Sequence, residues 1–130
     1  KVKKMIEMAN IKPGEKAIDL GAGDGRLVIA LAKAGAQAYG YEINPLLVRL
    51  AEKNIRKEKI TDKAFIHWKN FLQENLSDFD VITIYDTYHT MKKLEPKLKK
   101  ELKTGARVVS NGGKFPSWPA SKKIICFKNI

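Results

Sequence analysis

Lys16-Ala17-Ile18-Asp19-Leu20-Gly21-Ala22-Gly23-Asp24-Gly25-Arg26 is the stretch on which the fold turns. Residues 16–20 form a short, largely apolar run ending in glycines, the pattern of a buried strand. Residues 26–34 read as a helix, and Gly35 stops it. A strand, a glycine turn and a helix in that order open an α/β layer. Glycine at such a turn lets the backbone bend tightly and approach a ligand where a Cβ would block it.

The same alternation extends outward in both directions. Residues 1–12 read as an amphipathic helix closed by the Lys12-Pro13-Gly14 turn. Residues 38–42 form a second strand, and Pro45, at a first helical position, opens a helix through residue 57. Further strands are expected at 64–68, 79–85, 107–110 and 123–128. A short helix falls at 71–76, and a lysine-rich helix runs to Lys103 with Gly105 past its end. No repeat, linker or low-complexity tract intervenes, so residues 1–130 read as one domain. The expected fold is α/β: a doubly wound, mostly parallel sheet with helices on both faces. In such sheets the ligand lies beyond the carboxyl ends of the strands, where the strand order switches.

A hydrophobic fraction of 44% is enough for one core and too high for a disordered chain. No apolar run approaches the roughly 18–20 residues of a membrane span, and no signal peptide is evident, so no membrane partner is expected. Cys126 is the only cysteine, which excludes an internal disulfide. Its apolar neighbours suggest a buried strand thiol, and a cytoplasmic monomer is the expectation. The net charge of +11 has two readings, an acidic partner such as nucleic acid or a solvated lysine surface. Lysine supplies nearly all of it, with arginine only at 26, 49, 56 and 107, which favours the surface. The densest cluster (Lys92, Lys93, Lys97, Lys99, Lys100, Lys103) alternates with Leu94, Leu98 and Leu102 as one polar and one apolar face of a helix.

The strand ends carry the chemistry. A dinucleotide fingerprint has its third glycine three residues after the second, whereas Gly25 follows Gly23 by two. Asp19, two residues before the first glycine, would discourage a pyrophosphate but suits the cationic amino group or sulfonium of S-adenosylmethionine. No Lys-Ser or Lys-Thr pair follows the loop, which removes a P-loop. Glu42 closes the second strand, where a carboxylate accepts both hydroxyls of a ribose. Ile43 would cover one face of an adenine, and Asn70-Phe71 would supply an amide and a ring to its edge. Asn70 also suits a helix cap. No Cys/His cluster has metal-ligand spacing, so no metal is expected.

Asp19-x-Gly21-x-Gly23-x-Gly25, then Glu42, then Asn70-Phe71, resembles the class I S-adenosylmethionine-dependent methyltransferases over almost the whole chain. A finer resemblance is to small protein-lysine methyltransferases: the broad-specificity archaeal enzyme and the mitochondrial family that modifies a component of ATP synthase. It rests on residues 19–26, Gly40-Tyr-Glu-Ile-Asn44, residues 94–103, Thr104-Gly-Ala-Arg-Val-Val-Ser110 and Phe115-Pro-Ser-Trp118. The resemblance implies a Rossmann-like fold, S-adenosylmethionine as donor with S-adenosylhomocysteine as product, and proteins with exposed lysines as partners. It implies donor binding by Asp19, Gly21, Ala22, Gly23, Glu42, Ile43, Asn70, Phe71 and Tyr85, and places residues 85–89 near the methyl group. That family ends in a strand hairpin, whereas this sequence stops at Ile130 after its sixth strand. The last strand and part of the N-terminal substrate-side segment are therefore expected to be absent. Tyr85-Asp86-Thr87-Tyr88-His89 departs from the family pattern.

Methyl transfer is an in-line displacement, so the enzyme has mainly to align the nucleophile and exclude water. Tyr85, Tyr88 and Trp118 are candidates to line an acceptor channel, Thr87 to touch the substrate, and His89 to orient or deprotonate it. Each aromatic also suits core packing. His67, inside a strand, is assigned no role. Three functions stay open at this point: a protein-lysine methyltransferase, a nucleic-acid methyltransferase suggested by the charge and by Asp86-Thr87-Tyr88, and a donor-binding module without turnover.

Overall fold

The computed structural model describes residues 2–85, 88–111 and 124–127, with backbone alone at Tyr88 and over 124–127. Six strands form one sheet in the order β3-β2-β1-β4-β5-β6, every neighbouring pair parallel. They are β1 (Lys16–Leu20), β2 (Gln37–Glu42), β3 (Ala64–Trp68), β4 (Val81–Tyr85), β5 (Arg107–Asn111) and β6 (Ile124–Phe127). The α-helices are α1 (Val2–Ala9), α2 (Arg26–Lys33), α3 (Pro45–Lys57) and α4 (Tyr88–Glu101). From β1 the chain winds outward through β2 and β3, then returns to β4 on the other side of β1. The strand order therefore switches between β1 and β4, and the crevice lies beyond their carboxyl ends.

Alternation along each strand divides the core. Ala17, Ala38, Ala64, Val81 and Val109 meet Met5 and Ala9 of α1, Val28 and Leu31 of α2 and Ile55 of α3. Ile18, Leu20, Ile82, Ile84 and Val108 face Met91, Leu94 and Leu98 of α4 on the opposite side. Small side chains on the first face let helices come close. The extreme is Gly40, where a Cβ would stand 2.7 Å from Ala22 Cβ and 2.8 Å from Val28 Cγ2.

Arg107 ties α1 to this face. Its Nε donates to Ala9 O (2.9 Å), and its guanidinium holds both carboxylate oxygens of Glu15 at 2.7 and 3.0 Å. On α4 the apolar stripe of Leu94 and Leu98 is fully buried, and Leu102 beyond it is half-buried. Of the lysine cluster, Lys97 pairs with Glu101 in a largely covered ion pair, Lys99 with Glu95 and Lys103 with Asp80, while Lys92, Lys93 and Lys100 are exposed.

The first helix is shorter than expected, Val2–Ala9 rather than 1–12, α2 and β2 each shift by one residue at one end, and further boundaries differ. The helix expected at 71–76 is a single 3-10 turn, Phe71–Gln73. Leu76 is instead pulled inward, fully buried, with its N–H donating to Glu101 Oε1 at 2.8 Å, while Asn75 caps Ser77. β4 begins at Val81, after Asp80 N–H has bonded Lys16 O at 2.8 Å. β5 extends one residue further, to Asn111, paired in register with Tyr85. Cys126 lies in β6, and its side chain falls outside the described residues.

Candidate active site

The turn after β1 is built from three left-handed glycines, Gly21 (φ 84°), Gly23 (φ 57°) and Gly25 (φ 86°). Side chains adopt that region only with strain. Its amides are already engaged: Gly21 and Ala22 N–H donate to Tyr41 O at 2.9 and 3.0 Å, and Gly25 N–H to Ala22 O at 2.9 Å. Gly23 N–H donates to Glu42 Oε1 at 2.8 Å. A phosphate cradle needs such N–H groups free and pointing at the anion. This loop instead offers open backbone, since a Cβ on Gly21 or Gly23 would meet nothing within 4 Å.

Glu42, buried at the end of β2, is fixed by two backbone donors, Gly23 N–H on Oε1 and Asn44 N–H on Oε2 (2.9 Å). A carboxylate has about four acceptor sites, so both oxygens keep capacity for hydroxyl donors. Asp19 is 4% exposed on β1, and its Oδ1 accepts from Thr83 Oγ1 at 2.8 Å. Burial pushes its carboxyl up to about 8; the Thr83 hydroxyl opposes this, and the Glu42 charge adds to it. Among the described residues no basic side chain is bonded to Asp19. A buried acid held this way has the chemistry to meet a cation, whose approach would favour its ionised form.

Two lobes open on these groups. One, of about 290 Å³, is lined by Gly21, Tyr41, Glu42, Ile43, Lys69, Asn70, Phe71 and Tyr85. The other, of about 320 Å³, is lined by Asp19, Gly21, Ala22, Asp24, Arg26, Leu27, Tyr85 and Asn111, with Val2 and Met5 of α1. Gly21 and Tyr85 border both, so the lobes form one cleft across the switch point, of a size suited to a small ligand.

The structure thus brings together Asp19, Gly21, Ala22, Glu42, Ile43, Asn70, Phe71 and Tyr85. Gly23 lines neither lobe but orients Glu42. Asn70 caps the 3-10 turn by accepting from Leu72 N–H (3.0 Å) and lines the first lobe as well. His89 is exposed on α4 and lines neither lobe, so the role expected for it has no support in the geometry. Thr87 and Trp118 lie outside the described residues, as does the side chain of Tyr88. His67 stacks on Tyr39 at 6.3 Å.

Sequence reasoning missed three contributors. Thr83 was legible as the one polar residue in Val81-Ile82-Thr83-Ile84. Trp68, whose Nε1 donates to Ile43 O (2.8 Å), steadies the rim. Asn111 was cut off by ending β5 one residue early.

An adenosine-sized lobe beside a ribose-type carboxylate, joined to a lobe holding a buried acid, defines a class I S-adenosylmethionine-dependent methyltransferase. The comparisons agree. Residues 19–122 match the family model described as the ANTKMT methyltransferase domain, and the chain belongs to that family. It is 39% identical to the protein-lysine N-methyltransferase of Saccharolobus islandicus over 90% of this chain and 74% of that protein. It is 36% identical to the adenine nucleotide translocase lysine N-methyltransferase of Mus musculus over 90% of this chain, and spans about half (51%) of that protein. Among solved structures, an RNA methyltransferase from Salinibacter ruber in complex with S-adenosyl-L-homocysteine is similar with TM-score 0.87 and 33% identity. That match covers 91% of this chain and 78% of the other.

Proposed function

We propose that this chain transfers a methyl group from S-adenosylmethionine to the ε-amino group of protein lysines. The observation that carries the donor half is the cleft itself: open backbone at Gly21 between the buried carboxyls of Asp19 and Glu42. The names of the lysine methyltransferases to which the chain is 36% and 39% identical support the acceptor half.

In this reading Glu42 takes the ribose hydroxyls, Ile43 covers one adenine face, and Asn70 and Phe71 meet the adenine edge. Asp19 faces the cationic end. When bound, the donor supplies a methyl group already activated by its sulfonium. The chain's own task is to hold, orient and keep water out. Tyr85, bordering both lobes and 56% exposed, stands where an acceptor side chain would enter. A lysine ammonium has a free pKa of about 10.4 and must lose a proton before it can attack. Desolvation at the mouth of the cleft lowers that value, so no dedicated base is required.

The test is incubation with methyl-labelled donor and a cell extract divided into nuclease-treated and protease-treated halves. Label in lysines of the nuclease-treated half is expected. Label confined to nucleic acid would overturn the acceptor assignment. The likeness to the Salinibacter RNA methyltransferase favours that second reading. Steep salt dependence of RNA binding would accompany it.

A further inference from the structure

We infer that the Asn111 carboxamide holds the α-amino-acid end of the methyl donor, Nδ2 donating to its carboxylate and Oδ1 accepting from its ammonium. This rests on the donor reading above and deepens it. Asn111 is fully buried, and among the described residues neither its Nδ2 nor its Oδ1 has a hydrogen-bond partner. A buried amide left without partners destabilises a fold, because its lost hydrogen bonds to water are not replaced. Such a group calls for an explanation.

Its position supplies one. Asp19, Thr83 and Val109 are level across β1, β4 and β5. Tyr85 and Asn111, paired in register, stand two residues further on, on the same face of the sheet. Val109 packs with Met5 of α1, so that face is the one α1 covers, and Asn111 lines the lobe that also contains Asp19. Glu42 marks the other lobe. The amide therefore stands at the end of the cleft away from the ribose-type carboxylate.

Chemistry narrows the partner. Both amide atoms are unpartnered, so the missing group must both accept and donate, as an α-amino acid does. Asp19, once ionised, meets only the cationic half of such a zwitterion. The carboxylate half needs a donor. The N–H groups of Gly21, Ala22 and Gly23 are engaged, and Arg26 is bound to Asp24 at 2.8 Å. The rest of the Arg26 guanidinium is on a side chain 75% exposed to solvent, so Asn111 Nδ2 is the buried side-chain amide donor of this lobe that no described hydrogen bond occupies. An incoming lysine amine fits less well, because its lone pair must be kept for the methyl group.

The experiment compares S-adenosylhomocysteine with 5′-methylthioadenosine, which lacks the amino-acid end, by calorimetry on wild type and Asn111→Leu. Wild type should bind both. The variant should lose about tenfold or more in affinity for S-adenosylhomocysteine, the loss of charge-assisted hydrogen bonds, and less than about twofold for 5′-methylthioadenosine. Its ligand-free melting temperature should rise, since an unsatisfied amide has been replaced by an apolar side chain of similar size. Equal losses for both ligands, or none for either, would overturn the assignment while leaving the donor site in place. If wild type binds neither ligand, the donor reading itself fails, and this inference with it. Asn111→Ser serves the same comparison if the leucine variant does not fold.

Discussion

Asp19 offers the sharpest test, because its charge depends on what is bound. In the ligand-free chain burial holds its carboxyl at about 8, so near neutrality it is mostly protonated. A bound cation selects the carboxylate, and each pH unit below 8 then weakens binding by about 1.4 kcal/mol, or tenfold. From pH 6 to pH 8 the affinity for S-adenosylhomocysteine should therefore rise about 50-fold, or about 2.3 kcal/mol. At the lower pH about one proton should be released per ligand bound, read by calorimetry in two buffers of different ionisation enthalpy. Asp19→Asn can keep the Thr83 contact and cannot ionise, so its affinity should be weak and flat with pH. A slope with both S-adenosylhomocysteine and S-adenosylmethionine places Asp19 against the ammonium; a slope with the latter alone places it against the sulfonium. Stability must move the other way. The folded value is raised above the unfolded 3.8, so the native state binds more protons, and this contribution is lost as pH rises toward about 8. Ligand-free wild type should lose about 1.4 kcal/mol per pH unit within that window relative to Asp19→Asn. An affinity flat with pH for both ligands in wild type, or an equal slope in the variant, would refute the cation-receptor argument.

Glu42→Ala removes the acceptor for both Gly23 N–H and Asn44 N–H; about 1–3 kcal/mol of stability and most donor affinity should go, measured by denaturant unfolding and calorimetry. Gly40→Ala sets a Cβ 2.7 Å from Ala22 Cβ, so overpacking should cost about 1–3 kcal/mol and displace the glycine loop, reducing donor affinity at a position that lines neither lobe. Gly23→Arg forces a side chain into φ 57° above the open backbone and should abolish binding; retained micromolar affinity would count against the cleft. Arg107→Met releases Glu15, whose carboxyl Arg107 holds below its usual value through hydrogen bonding. The stability from that pair is present above the unfolded value of 4.5 and lost as pH falls, so the variant should be weaker by about 1.5–3 kcal/mol at pH 7 and closer to wild type in acid.

The sheet was legible because the strands are short, largely apolar runs beside glycine, proline or lysine-rich boundaries. The order β3-β2-β1-β4 was not read from the sequence, because handedness and short connections do not fix where the winding reverses. Asp19 and Glu42 were legible for a different reason: a carboxylate at the end of an apolar strand is out of place unless something there needs it. The 71–76 segment was misread because Phe71-Leu72 and Leu76 satisfy a helical spacing. The spacing says nothing about Glu101, whose carboxylate takes the Leu76 N–H and turns the chain inward.

Thr83 and Asn111 show where a one-dimensional reading stops. Thr83 breaks an apolar run and Asn111 ends a strand, but what each does depends on register with another strand. Thr83 matters because parallel pairing sets it beside Asp19, 64 residues away, where its hydroxyl opposes the rise in that acid's affinity for protons. Asn111 matters because the same pairing carries it to the level of Tyr85 and into the lobe with Asp19. Neither position can be inferred from spacing along the chain, since loop lengths between strands do not fix which residues stand side by side. The groups that announce a cleft are thus those whose type clashes with their local pattern, and the groups that tune it are those whose partners arrive from a neighbouring strand.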